Sequence, residues 1–286
     1  MAGEVVSLGQ GVTTYKLGDH IFAQSKIMTH TDTAGLQQYA LLTASLAAKV
    51  PPSLSDDEAA TIPVNALAPF IALFHETGLN LPPPGTGEAA SFGYEEKTLV
   101  IVGGGANCGK FGIQFAKIVG FGRIVVIAGK GGEEELKGYG ATHVVDRFQT
   151  NEHIRKEVLE ITGGDNVKYL YDALNDDHTL AVSLLSGEKK GIVAALLPTK
   201  TVDENRIGEK KEGYEVRKVF GASHAQPGFY KETFWEKMPG WVEKGVIKPL
   251  AFKVVEGGLN AGAVNQILDD YRDGKNPGKW HVHPNE

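Results

Sequence analysis

VIVGGGANCGKFGIQFAK, residues Val100 to Lys117, joins an apolar β-branched run, three successive glycines and an amphipathic helical pattern. A strand entering a helix through glycines leaves backbone N–H groups unpaired at the positive end of the helix dipole. Such a turn holds a phosphate if its side chains are small. Two phosphate patterns fit. Gly104, Ala106 and Gly109 follow the spacing of the dinucleotide fingerprint, with alanine in the middle place. Gly104 would make the tight turn, Ala106 would stay small beside a pyrophosphate, and Gly109 would let the helix pack on the strand. Gly104, Gly109 and Lys110 also satisfy most of a P-loop, but Phe111 has no hydroxyl for Mg²⁺. The acidic strand end Tyr169-Leu170-Tyr171-Asp172 keeps that NTPase reading open. A glycine turn with no ligand is the third alternative.

Outward from this stretch, apolar runs alternate with helical ones. TLVIVG, RIVVIAG, THVVD, VKYLYDA, GIVAALL and RKVFGA read as strands. Gly109–Val119, Glu133–Tyr139, Asn151–Thr162 and Thr179–Leu185 read as helices. Continuous Val/Ile/Leu runs suit buried parallel strands, and βα alternation predicts an α/β, doubly wound parallel sheet. Before it, residues 1–50 alternate apolar and polar positions, as half-buried strands do. Ser55 is placed to cap a short helix whose first turn holds Asp56, Asp57 and Glu58. A helix over about Ala66–Gly78 precedes a Pro/Gly-rich linker. After residue 222 the pattern predicts a helix near Phe229–Lys244 and then a β-like tail.

The tip of the second strand bears on the cofactor. NAD enzymes place Asp or Glu about 20 residues past the glycine turn, where it accepts from the ribose hydroxyls. Ile124–Gly132 reads IVVIAGKGG and contains no acid. Gly129 and Lys130 stand there instead, which suits the extra 2′-phosphate of NADP(H); an exposed loop lysine is the plainer alternative.

The net charge of −6 argues against a nucleic-acid partner, and no run reaches the ~18 apolar residues of a membrane helix. The start of the chain has no basic segment followed by an apolar core, so no secretory signal is expected. A single cysteine, Cys108, excludes an intrachain disulfide framework and a four-cysteine zinc lobe, and a cytoplasmic, reducing setting is the expectation.

Several quoted segments together resemble the medium-chain dehydrogenase/reductase superfamily: AGEVVSLGQGVTTYKLGDHIFA, IPVNALAPFIALFHETG, VGGGANCGKFGIQFAK, EELKGYGATHVVD, YDAL, FWEKMPGWVEKGVIKPLAF and NPGKWHVHP. The likeness covers nearly all the chain. It is nearest to zinc-independent quinone-oxidoreductase-like proteins and fungal trans-acting enoyl reductases. The resemblance implies a GroES-like substrate domain from residues 1–67 and 222–286, with a Rossmann domain, 68–221, inserted and the active site in the cleft between them. It also implies that the GroES-like part is N-terminally truncated here. The zinc branch's Gly-His-Glu would fall before Ala2-Gly3, and its cysteine near Val64-Asn65 is absent, so no metal is expected. Family members often carry Leu-Thr-Ala where this chain has Leu67-Ala68-Pro69.

Other chemical signals are weaker. Tyr214-x-x-x-Lys218 has short-chain-dehydrogenase spacing, which works on a helix, but it leads into a strand-like run. His281 and His283 share a strand face, as two metal ligands would, but with no third ligand they read as an exposed terminal pair. Cys108, near a helix start, reads as a compact loop residue, and His75 as a packed or partly exposed histidine.

The expected function is NADPH-dependent hydride transfer to an activated C=C bond or a quinone. Gly104, Gly105, Ala106, Asn107, Cys108 and Gly109 would hold the pyrophosphate, and Gly129 and Lys130 the adenosine phosphate. Leu174, Asn175, Leu196 and Ser223 follow strand ends and would lie toward the nicotinamide. Asn65 and Tyr39 are the catalytic candidates in the substrate half; no general acid stands out, and water could protonate the product. The partner is a small molecule, with no nucleic acid and no membrane, the chain being a monomer or homodimer. A truncated, catalytically weak dinucleotide-binding protein is the alternative from a different class.

Overall fold

The computed structural model describes residues 1–26, 31–275 and 278–286. The chain divides into two compact units, Asn65–Gly221 and the pair Met1–Val64 with Ala222–Glu286. Asn276 and Pro277, which open the last quoted motif, lie outside the described residues, as do Ile27–His30.

The first 50 residues form less sheet than their alternation predicts. Three short strands, β1 (Ala2–Glu4), β2 (His20–Ala23) and β3 (Ala47–Lys49), pair antiparallel in that order. Much of the intervening sequence is turn, because its alternating apolar positions find no facing layer: Val6, Leu8 and Leu17 are exposed. Tyr15 is an exception. It is buried and donates its hydroxyl to the Ala47 carbonyl at 2.7 Å, and burial pushes its pKa up to about 12. Helix α1 (Asp56–Ala60) starts where expected. Ser55 accepts from the Glu58 N–H, and Glu58 reaches back to the Ser55 N–H at 2.8 Å, a reciprocal capping box.

The other unit is built on a six-stranded sheet. Helix α2 (Pro63–Phe74) begins three residues before the predicted start, with Pro63 in its first turn and Pro69 inside it. After α3 (Gly87–Ser91) the expected alternation runs in order: β4 (Thr98–Val102), α4 (Asn107–Val119), β5 (Arg123–Ala128), α5 (Glu133–Tyr139), β6 (His143–Asp146), α6 (Asn151–Thr162), β7 (Tyr169–Asp172), α7 (Thr179–Leu184), β8 (Gly191–Ala195) and β9 (Tyr214–Lys218). All strands are parallel, in the order β6-β5-β4-β7-β8-β9. This is the Rossmann order 3-2-1-4-5-6, whose direction reverses between its first and fourth strands. Here that point lies between β4 and β7. Residues of β4 alternate between faces. Val100 and Val102 join a buried cluster with Ile154 and Val158 of α6 and Val182 of α7. Ile101 faces α4, whose Phe115 packs with Phe70 and Phe74 of α2 and with Phe111 of its own helix.

Strand β9 corrects the expectation for RKVFGA, since the strand is YEVRK and ends where that run begins. Gly213, at φ +75°, turns the chain into it. Arg217 is held by Glu215 and donates to the Gly78 carbonyl at 2.8 Å. Tyr214 and Lys218 therefore lie about 13 Å apart along a strand, not one helical turn apart.

The chain after residue 222 departs further. The predicted helix is segmented into α8 (Pro227–Tyr230), a π-helical turn (Lys231–Trp235) and α9 (Met238–Glu243), with Pro239 unable to continue the preceding hydrogen bonds. In the tail, β10 (Lys253–Val255) pairs parallel with β11 (Trp280–Val282), but a 12-residue helix, α10 (Ala261–Arg272), intervenes. Asn260 caps it by accepting from the Ala263 N–H at 3.1 Å. Its signal was the helical spacing of Val264, Leu268 and Tyr271. No helix of the described residues is long and apolar enough to cross a membrane.

His281 of β11 and His283 just past its end both reach Asp57, and they are not an exposed pair. Asp57 of α1 holds His281 Nδ1 at 2.9 Å and His283 Nε2 at 2.9 Å, and Glu286 takes His283 Nδ1 at 2.8 Å. Glu286 first, then Asp57, raise the His283 pKa above 6.5. A raised pKa means the protonated form is favoured on folding, so this contribution is complete below pH 6.5 and is lost as pH rises through the higher folded value. His283→Gln should therefore melt below the wild type at pH 6, the gap narrowing toward pH 9. Parallel melting curves across that range would show that the clasp contributes nothing.

Candidate functional site

The turn after β4 is where the sheet order reverses. Gly103 adopts φ +77°, a left-handed conformation that disfavours other residues. A Cβ on Gly103 would also lie 2.7 Å from Leu174 Cβ. The tight-turn role expected of Gly104 thus belongs to Gly103, which sequence spacing passed over although it opens the glycine run. Gly104 is needed for a different reason, since a Cβ there would meet Val126 Cγ1 of β5 at 2.0 Å. Gly109 behaves as expected: a Cβ would fall 2.4 Å from the Gly103 carbonyl oxygen and 2.7 Å from Gly104 Cα. One turn on, Gly112 lets α4 close on Tyr171, with 2.7 Å from its missing Cβ to the ring. Burial drives the Tyr171 hydroxyl well above its ordinary pKa.

Ala106 is the N-cap of α4 and brings no side-chain oxygen to the first turn. Gly105 is exposed, and its nearest neighbour would be Ala128 Cβ at 4.0 Å, so the space outside it is open. Asn107 and Cys108, both half-buried, form the first turn of α4 with Gly109. Three positions without room for a methyl group and a cap without a side chain make a cradle of backbone. It fits a diphosphate in contact with the helix N-terminus.

Lys110 does not point at this cradle as a P-loop lysine would. It pairs with Glu135 of α5 at 2.8 Å, and Phe111 is fully buried. Because an ion pair with one exposed partner contributes only ~0.2–1 kcal/mol, Lys110→Ala should leave nucleotide affinity within about fivefold. Fluorescence titration checks this, and Mg²⁺-dependent ATP hydrolysis lost in the variant would restore the NTPase reading.

At the tip of β5, Gly129 and the exposed Lys130 lead into a short 3-10 turn. The parallel register Ala128↔Asp146 brings the residues after β6 alongside. A Cβ on Gly129 would stand 3.5 Å from the Phe148 ring and 4.0 Å from Arg147 Nε. The Arg147 guanidinium lies 4.0 Å from the centroid of the Phe148 ring, which is 73% exposed. Sequence reasoning missed Arg147 because it considered the second strand alone. The signal was available: in a parallel sheet the residue after the third strand neighbours the tip of the second.

On the other side of the reversal, Asp172 ends β7 fully buried. Its Oδ1 accepts from the Leu174 N–H at 3.2 Å, the Asn175 N–H at 3.1 Å and Asn175 Nδ2 at 3.0 Å. Leu196 follows β8 and donates its N–H to the Asp172 carbonyl at 3.1 Å. The structure thus brings the Gly103–Gly109 turn, Leu174, Asn175 and Leu196 to one end of the sheet. Ser223 belongs to the other unit, where Gln24 Oε1 accepts from its N–H at 2.9 Å and its hydroxyl at 3.3 Å. Tyr39 is in that same unit and is 71% exposed; Asn65, expected in the substrate half, is instead the first residue of the unit that carries the sheet, half-buried on α2. Among the described residues, no group of three or more His, Cys, Asp or Glu is placed to hold a metal ion.

Comparison with known proteins agrees with this geometry. A zinc-binding dehydrogenase family model matches residues 108–207. A trans-enoyl reductase of Gibberella fujikuroi is 29% identical across 99% of this chain and 82% of its own length. A chloroplast envelope quinone oxidoreductase homologue of Arabidopsis thaliana is 27% identical across 83% of this chain and 74% of its own. Among solved structures, a mycobacterial protein in complex with NADPH superposes with a TM-score of 0.70 at 21% identity, covering 94% of this chain and 76% of that one.

Proposed function

We infer, since the chain belongs to the medium-chain dehydrogenase/reductase superfamily and is an oxidoreductase of that kind, that it binds NADP(H) and reduces an activated C=C bond or a quinone. The observation that carries this reading is the backbone cradle at Gly103–Gly109, at the point where the sheet order reverses. Gly104, Gly105, Ala106, Asn107, Cys108 and Gly109 would take the pyrophosphate. The cofactor, when bound, supplies the hydride. Lys130 and Arg147 flank Gly129, where an adenosine 2′-phosphate would need cations, and the exposed Phe148 ring beside them carries the Arg147 guanidinium on one face. Leu174, Asn175 and Leu196 would orient the nicotinamide end. Asn65, the first residue of the unit that carries the sheet, and Tyr39 of the other unit remain the catalytic candidates, and Ser223 remains a candidate contact toward the nicotinamide. Reduction of a C=C bond adds hydride at one carbon and a proton at the other, and no acid of this chain is assigned that proton; solvent can deliver it.

The test is turnover of NADPH with a panel of enones, enoyl thioesters and quinones, beside a titration of NADPH and NADH by nicotinamide fluorescence. Oxidation of NADPH by at least one class supports the reading. Binding without turnover of any of them would reduce the protein to a dinucleotide binder, and no binding would remove the assignment altogether.

A further inference from the structure

Buried beneath the nicotinamide end of the proposed site is a pair of titratable groups that hydride transfer does not use. His178 and Asp172 are both fully buried, and His178 Nδ1 lies 2.9 Å from Asp172 Oδ2. An ionised carboxylate can only accept, so His178 is the donor. The other carboxylate oxygen organises Leu174 and Asn175 through the three contacts already described. One carboxylate therefore links an imidazole on one side to the Leu174–Asn175 segment on the other. His178 Nε2 is buried and makes no hydrogen bond. A buried polar atom in that condition is costly and calls for an explanation.

We propose that His178 is a positioning residue: its proton sets how firmly Asp172 holds the Leu174–Asn175 segment, and through it the affinity for the nicotinamide end of the cofactor. This rests on the cofactor reading above. The neutral ring, donating from Nδ1, leaves a lone pair on Nε2 facing no donor. The imidazolium replaces that lone pair with an N–H, a form that the Leu197 backbone favours, and strengthens the bond to Asp172 by adding charge. The charged groups around the ring are Asp172 from β7, Asp177 on its own loop, and Arg206, which faces Asp177 from the segment after β8. Burial alone would lower the His178 pKa, but the hydrogen bond and charge of Asp172 more than offset it, so the pKa is raised. A raised histidine pKa makes the stabilised state the low-pH one, and the grip on Asn175 loosens as pH rises through the folded value.

Two measurements test this. In wild-type protein without nucleotide, the backbone amide of Asn175 should shift with the same midpoint as the His178 imidazole, read by NMR between pH 5 and 9. A static Asn175 amide while the imidazole titrates would overturn the proposal. In the second, NADPH affinity of the wild type should fall about tenfold across the His178 titration, the size of one charge-assisted hydrogen bond. His178→Asn keeps a donor to Asp172 without a titrating proton, and its affinity should lack that step. The same pH dependence in both proteins would also overturn it. If NADPH fails to bind at every pH, the cofactor reading falls, and the amide titration decides the coupling by itself.

Discussion

Gly109→Ala is expected to weaken NADPH binding by about 30-fold or more and to lower the melting temperature. The added methyl would sit 2.4 Å from the Gly103 carbonyl oxygen and 2.7 Å from Gly104 Cα. Neither atom is the end of a flexible side chain, so the backbone of the turn must move away from α4. Overpacking of this sort costs ~1–3 kcal/mol, and about 2 kcal/mol is a 30-fold change in an equilibrium constant. The displaced groups are the ones that would hold the diphosphate, so binding should suffer at least as much as folding. Gly105→Ala is the informative partner. Its nearest neighbour would be 4.0 Å away and its φ is not left-handed, so the fold should tolerate it. Its methyl would nevertheless stand in the open space over the cradle. A loss of affinity at unchanged melting temperature is expected there. Full affinity in Gly109→Ala, measured by fluorescence titration, would mean that the phosphates lie elsewhere.

The second large effect concerns choice between cofactors. Lys130→Ala and Arg147→Ala should each reduce NADPH affinity by about 10- to 100-fold, as expected for one charge-assisted hydrogen bond to phosphate at ~1.5–3 kcal/mol. NADH, which lacks the 2′-phosphate, should change by less than about threefold. The two cations flank Gly129 from different strands, so the double variant is also a test of geometry. Combined in one protein, the substitutions should leave NADH equal to or better than NADPH. Arg147→Ala without effect on either nucleotide would return the guanidinium to a purely local role, stacked on Phe148.

The parts of the fold that could be read in advance were those in which local pattern and burial agree. The strands of the central sheet are apolar throughout because both of their faces are covered, and the helices between them begin and end at recognisable caps, as at Thr150 and Gly163 of α6. Elements were misjudged where tertiary context overrules pattern. Alternation in residues 1–50 suggested strands, but few of those segments find a partner to pair with. Helix α10 has the right periodicity but buries none of its residues, so its apolar signal is thin. Within the site, the glycine turn was legible because each glycine answers a steric need. Arg147, Phe148 and the Asp172–His178 pair were not, because their meaning depends on which strands lie side by side. The reassignment of the tight turn from Gly104 to Gly103 has the same origin: spacing identifies the motif, and only φ identifies the residue that bends.

The unit formed from residues 1–64 and 222–286 has a consequence for how the protein is made. Phe22 packs against Trp235, Asp57 against His281 and His283, and the Thr61 hydroxyl accepts from the Leu250 N–H. A ribosome adding ~5–20 residues per second delivers those later partners on the order of ten to forty seconds after the early strands have emerged. The inserted sheet can finish folding in that interval, while Ile21, Phe22 and Ala23 wait without cover. The residues of β2 therefore gain their full packing only after the inserted sheet has been made, a reversal of the usual N-to-C order of folding.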